Sequence, residues 1–185
     1  RDGFDAPALS PEWITMRTPG VDSRILHDLD RGEIMLRPGA DPAGSLNRFA
    51  FIGRRMRHHD AEFTTAVNLT AEEAGDYAGL LAFMDEGHFI TVGIEQGENA
   101  RDIVVRLRKD PGDGERGEIV HSSPWSDAGA QLRLTFNGGS AVAAWREGDD
   151  REWTQSPPVN VEPLSSIHAG LFTGLVVGPY AVAGR

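Results

Sequence analysis

The chain reads as an all-β protein, a two-sheet antiparallel β-sandwich, on three observations. Apolar and polar residues alternate with a period of two in short stretches. Turn residues separate those stretches at intervals of about 8–12 residues, the spacing of a sandwich or barrel. Helical periodicity is scarce. The 185 residues, with 22 Gly and 11 Pro, fit one domain with one core. No repeat, low-complexity tract or internal linker divides residues 1–185.

In chain order, strands are expected at 13–18, 33–37 and 48–53, each a short apolar run between turn residues. Residues 62–70 place Phe63, Thr65, Val67 and Leu69 on one face and Thr64, Ala66, Asn68 and Thr70 on the other. Residues 77–84 and 88–95 flank Asp85-Glu86-Gly87, where Gly can supply the positive φ of a three-residue hairpin loop. A competing helix over 70–84 has Thr70-Ala71-Glu72-Glu73 in the form of a capping box, but Gly75 and Gly79 interrupt it. Ile103, Val105 and Leu107 alternate through 101–109 up to Pro111-Gly112-Asp113-Gly114, which stops the ladder. After a strand at 117–121, Leu132, Leu134 and Phe136 run into Asn137-Gly138-Gly139, and Asn-Gly between alternating runs signals a second hairpin. A last strand is expected over 171–180, with Pro179 placing it at a sheet edge or ending it early, because proline lacks a backbone donor.

Composition removes several classes of partner. A formal charge of −10, from 28 acidic and 18 basic residues, disfavours nucleic acid. No apolar run approaches the ~20 residues that span a bilayer. With no Cys, disulfides, thiolate metal sites and cysteine nucleophiles are all absent. The chain starts at Arg1 without an apolar leader, which reads as a fragment or processed form.

Catalytic patterns are missing where they would be expected. Sandwich glycan hydrolases place paired carboxylates on one strand face as Glu-x-Asp-x-x-Glu, and no strand here has that spacing. Glu95 with Glu98, and Asp149, Asp150 and Glu152, read as solvated loop carboxylates. Ser122, His121 and Asp127 supply the residue types of a hydrolytic triad without a Gly-x-Ser-x-Gly elbow. His58-His59-Asp60 could hold a metal only if a bend overcomes the opposite directions of neighbouring strand side chains. Asp2 and Asp5 are the carboxylates for an oxygen-ligand Ca²⁺ site.

The candidate binding residues are Arg54, Arg55, Arg57, His58 and His59, a cationic run in an acidic protein. Its guanidinium groups either pair with the surplus carboxylates or hydrogen-bond a ligand. Of the four Trp residues, Trp145 alternates with Ala143 and is expected in the core. Trp125, after Ser-Ser-Pro in an expected loop, and Trp153, beside charged residues, are candidates to stack on sugar rings.

Taken in order, Phe4-Asp5 with Leu9 and Trp13, Gly53-Arg54-Arg55 with His58, Thr65-Ala66-Val67, Ala78-Gly79-Leu80, and Phe172-Thr173-Gly174 with Val177-Gly178 resemble the C-terminal module of family-43 glycoside hydrolases of the β-xylosidase type. The resemblance runs from Phe4 to Ala181. It implies a concanavalin A-like (jelly-roll) sandwich packed on a five-bladed propeller, which would lie outside this chain and carry the catalytic carboxylates. It further implies a non-catalytic role, in which the Arg54–His59 loop borders an active-site entrance or binds xylo-oligosaccharide. The family's segment runs Gly-Arg-Arg-Gln-x-His-aromatic. Here Met56 replaces the Gln and His59 the aromatic residue, so pocket completion would fall to an imidazole. Two alternatives stand beside this reading: a free-standing lectin-like or protein-docking sandwich, and a sandwich hydrolase or lyase with an unrecognised site.

Overall fold

A computed structural model describes residues 2–17, 24–71, 73–110, 112–170 and 174–184. Among these residues fourteen strands run in the order β1 Ile14–Thr15, β2 Ile25–Asp28, β3 Glu33–Leu36, β4 Ala50–Arg55, β5 Ala61–Asn68, β6 Tyr77–Asp85 and β7 His88–Gln96. They continue as β8 Arg101–Arg108, β9 Glu118–Trp125, β10 Gly129–Asn137, β11 Ser140–Arg146, β12 Thr154–Gln155, β13 Val159–Asn160 and β14 Val176–Val182. A 3-10 turn at Glu162–Leu164 and the one-turn helix α1, Ser166–Ala169, precede β14. Among the described residues no helix is long and apolar enough to cross a membrane.

Seven strands form the larger sheet in the order β1-β4-β14-β6-β7-β8-β9, and β12-β11-β10-β5, with β13 also on β11, form the smaller one. The paired strands are antiparallel throughout. The β2–β3 hairpin forms a separate two-stranded ribbon. Between the two main sheets, Leu80, Ile90, Val92, Ile94, Ile103 and Val105 meet Leu132, Leu134, Phe136 and Trp145. This is the two-layer core that strand alternation predicts, and Trp145 lies in it as expected, 2% exposed.

A second core covers the other face of the larger sheet, which sequence alternation did not predict. Phe49, Phe51, Tyr77, Leu81, Phe83, Phe89, Val176 and Tyr180 pack there beneath Ala43, with Ile14 and Met16 against them. The covering segment is fixed by hydrogen bonds. Ala43 N–H donates to the Tyr180 hydroxyl at 3.0 Å, and Arg108 donates to Gly44 O at 2.9 Å. Arg17 donates to the carbonyls of Ser45 and Asn47 and pairs with Glu86. β6 and β7 are therefore buried on both sides, which is why their sequences read as nearly continuous apolar runs.

Several local expectations need correction. β14 is not an edge strand. It lies between β4 and β6 and continues through Pro179 to Val182. Its ladder to β4 pairs Val177 with Arg54 and Tyr180 with Phe51 and skips the two positions between, so the missing proline donor falls in a gap. The β6–β7 loop is shorter than expected, because Asp85 pairs with His88. The Asp85 carboxylate accepts from Gly87 N–H at 2.7 Å and from His88. β9 runs on to Trp125, so Trp125 sits on a strand and not in a loop. The helix over 70–84 does not form, its place being taken by a turn and β6; Glu72 of its capping box lies outside the described residues, as do Phe172 and Thr173. β2, β12, β13 and α1 were not anticipated.

Candidate functional site

The β4–β5 connection is pinned at both ends. Met56 N–H donates to Leu175 O at 2.9 Å and its side chain packs on the main core. At the far end the Asp60 carboxylate accepts from Gly138 N–H at 3.1 Å. Between these anchors Arg57, His58 and His59 are exposed. Neither imidazole forms a hydrogen bond, ion pair or ring contact within the described residues.

Arg54 points away from that tip and belongs to a different cluster. Its guanidinium lies over Trp13, 4.4 Å from the ring centroid, and its Nη2 donates to Asp2 at 2.6 Å. Glu12 is 3.6 Å from Arg54 and also pairs with Arg57. Asp2 further accepts from Trp13 Nε1 at 2.7 Å and Phe4 N–H at 3.0 Å. The Trp13 bond, then the Phe4 amide, then the Arg54 charge hold its carboxyl below the ordinary value against the opposing effect of burial. Phe4 completes the cluster, its ring 5.2 Å from Trp13 and its carbonyl 2.6 Å from His27 Nε2. Phe4, Asp2, Trp13 and Arg54 thus come together because they tie the N-terminal segment to β4.

Arg54 and Arg57 are therefore met by the chain's own carboxylates. Arg55, the last residue of β4, is exposed. Asp5 is exposed, while the Asp2 oxygens serve three donors. Among the described residues no three His, Asp or Glu side chains converge as metal ligands.

The tryptophans do not join the loop or each other. Trp125 ends β9 in the larger sheet and packs partly on the main core, its Nε1 buried without a partner. Trp153 precedes β12 of the smaller sheet and lies over two arginines, 4.3 Å from Arg133 and 4.6 Å from Arg146. His121 faces Trp145 across the sandwich at 5.5 Å, while Ser122, next to it in the strand, is exposed, so the two do not form a triad.

Glu95 departs most from its sequence reading. It lies on β7, not in a solvated loop, and accepts two bonds from Arg106 at 2.9 Å. Arg116 stands 3.9 Å away. Around the pair, Tyr77 hydrogen-bonds Thr91, and with Tyr180 and Val182 these residues close a small polar chamber. Sequence reasoning missed this cluster and the Arg133–Trp153–Arg146 stack. The alternation Gln131-x-Arg133-x-Thr135 signalled an outward polar face, but nothing signalled what Trp153 would cover.

The family model described as "Beta xylosidase C-terminal Concanavalin A-like domain" matches residues 1–185. Compared with curated proteins by sequence, the chain matches none. Among solved structures it is similar to a xylan β-1,4-xylosidase from Bacillus halodurans C-125, at TM-score 0.85 and 22% identity over 98% of this chain and 35% of that one. The GH43 protein BlXynB of Bacillus licheniformis gives TM-score 0.86 and 17% identity over 100% of this chain and 36% of that one. The xyloglucan-locus GH43B of Bacteroides ovatus gives 0.83 and 20%, over 98% and 35%. The chain thus spans about a third of the length of these structures. With the family model matched end to end and the sandwich in place, the chain belongs to the β-xylosidase C-terminal concanavalin A-like domains, the C-terminal modules of family-43 glycosidases.

Proposed function

We propose that this chain is a non-catalytic accessory module of a xylan- or arabinoxylan-degrading glycosidase, and that its β4–β5 loop borders the entrance to a site carried by a catalytic propeller domain of the same enzyme. The observation that carries this is the state of His58 and His59. Both stand exposed and unpartnered on a connection pinned at Met56 and Asp60, while Arg54 and Arg57 are engaged by Asp2 and Glu12. Two polar rings held on a fixed base without an internal role are suited to a surface outside the domain. Among the described residues, aromatic side chains and the Ala43 segment pack on the outer face of the larger sheet.

In this reading Arg55, Arg57, His58 and His59 contact xylo-oligosaccharide hydroxyls or the propeller rim, and Arg54 supports the loop from behind. In this reading the acid–nucleophile pair belongs to the propeller. Turnover of aryl β-xylosides, aryl α-arabinofuranosides and xylobiose by the purified chain tests this; the expected result is no product above buffer, and turnover lost on substitution of a single carboxylate would contradict it.

A docking role for a second surface has one specific observation in its favour. On the separate β2–β3 hairpin, Leu29 and Met35 are 46% and 49% exposed and border one open concavity with His27 and Asp28.

A further inference from the structure

The outward face of the smaller sheet carries an aromatic and polar arrangement that the loop does not use. On β10, alternation sends Leu132, Leu134 and Phe136 into the core and Gln131, Arg133 and Thr135 outward. Register sets Arg133 beside Thr64 of β5 and Ala144 of β11, and Gln131 beside Arg146. Trp153 lies over both guanidinium groups.

The two arginines differ in what else holds them. Arg146 is fully engaged, by Gln131 Oε1 at 2.7 and 2.9 Å, Asp149 O at 2.7 Å and Asp149 Oδ1 at 3.1 Å. Arg133 has only Glu62 at 3.7 Å, and its buried Nε has no hydrogen-bond partner. That Nε is sealed from solvent, so it is the other guanidinium nitrogens of the 20% exposed side chain that remain for a ligand. Glu62 in turn reaches Thr135 Oγ1 at 3.4 Å.

We propose that this face is a glycan-binding surface separate from the β4–β5 loop, and that it takes a neutral β-linked pyranose chain. The exposed part of the Trp153 ring receives the apolar face of one pyranose, and Arg133, Thr135 and Glu62 exchange hydrogen bonds with hydroxyls along the chain. Sugar hydroxyls both donate and accept, which matches a surface where donors and carboxylates interleave. Arg133 and Arg146 are offset by Glu62 and Asp149, and Glu62, its side chain 54% exposed, repels a uronate. The inference shares with the proposed function only the chemical class of the ligand.

The test is retention of this chain on insoluble neutral xylan, with calorimetric titration of xylohexaose. Trp153→Ala and Arg133→Gln are each expected to weaken binding about tenfold. Trp153→Phe, which keeps a flat ring, is expected to retain most of the affinity. Should Trp153→Ala lose its cooperative melt, Trp153→Phe and Arg133→Gln decide. Equal affinity in Arg133→Gln and wild type overturns the proposal, as does an unbound wild-type chain. Binding lost in His59→Ala but kept in the Trp153 and Arg133 variants also overturns it and leaves the loop reading standing. Tighter binding of glucuronic-acid-substituted xylan than of neutral xylan overturns the neutral class.

Discussion

Arg54 stacks on Trp13, its guanidinium carbon 4.4 Å from the ring centroid, and the same guanidinium donates to Asp2 at 2.6 Å. A β4 residue and two N-terminal residues therefore form one electrostatic unit. Removing the cation leaves Asp2 with the Trp13 and Phe4 donors alone and strips the indole of its cover. Arg54→Ala is expected to destabilise the domain by about 1–2 kcal/mol in urea unfolding at pH 7.

The same cluster sets an acid limit. The Asp2 carboxyl is held below its ordinary value in the folded chain. Its contribution is therefore present above the unfolded pKa of about 3.9 and is lost as pH falls through the lower folded value. Asp2→Asn should flatten the fall in stability between about pH 4 and pH 2. An unchanged acid profile in that variant would show that other carboxylates carry it.

The larger sheet tolerates almost no added volume where Tyr77 crosses it. A Cβ on Gly93 would meet Ala78 O at 2.4 Å and Tyr77 Cζ at 2.6 Å. Backbone on one side and a fully packed ring on the other leave nothing to give. Gly93→Ala should cost about 3 kcal/mol or more. Gly138, with φ +58 and nothing within 4 Å of an added Cβ, should lose only about 1–2 kcal/mol as Ala, the cost of the left-handed backbone. Guanidinium denaturation of the two variants separates steric from conformational strain.

Tyr77 and Tyr180 are the only two tyrosines, and burial, the first cause for each, pushes both phenols above their ordinary value. The folded state thus holds these protons more tightly than the unfolded chain. The associated stability is intact below the unfolded pKa of about 10 and declines above it. Ultraviolet titration should show no phenolate in the folded protein near pH 10 and, with each phenol half-ionised, about one phenolate equivalent in urea. Reversible ionisation of either tyrosine near pH 10 without unfolding would contradict their burial.

The strands with one wet face were legible in the sequence, because β5 and β10 follow the rule that alternate residues share an environment. The second core was not. Nothing in the spacing of Phe49, Phe51 and Phe83 tells whether the far face meets water or a folded-back segment, and Ala43 reaches Tyr180 from 137 residues away. Pro179 misled for a related reason: its missing donor is harmless in the interrupted β14–β4 ladder, a tertiary detail without a local signature. At the site, the loop itself could be read, but Arg54 and Arg57 were separated from His58 and His59 only by where Asp2 and Glu12 fell. Trp153 was recognisable as an outlying aromatic residue, whereas its position over Arg133 and Arg146 depends on the β10–β11 register.

The most direct test of the account is the kinetics of the enzyme that carries this chain, with His59 substituted. If the β4–β5 tip borders the catalytic entrance, His59→Ala should lower kcat/KM for xylobiose about fivefold or more, ~1 kcal/mol, chiefly through KM. The melting temperature should not move, since His59 makes no internal contact, and His59→Phe should recover much of the loss. Unaltered kcat/KM in both variants would contradict the account and remove the loop from the active site.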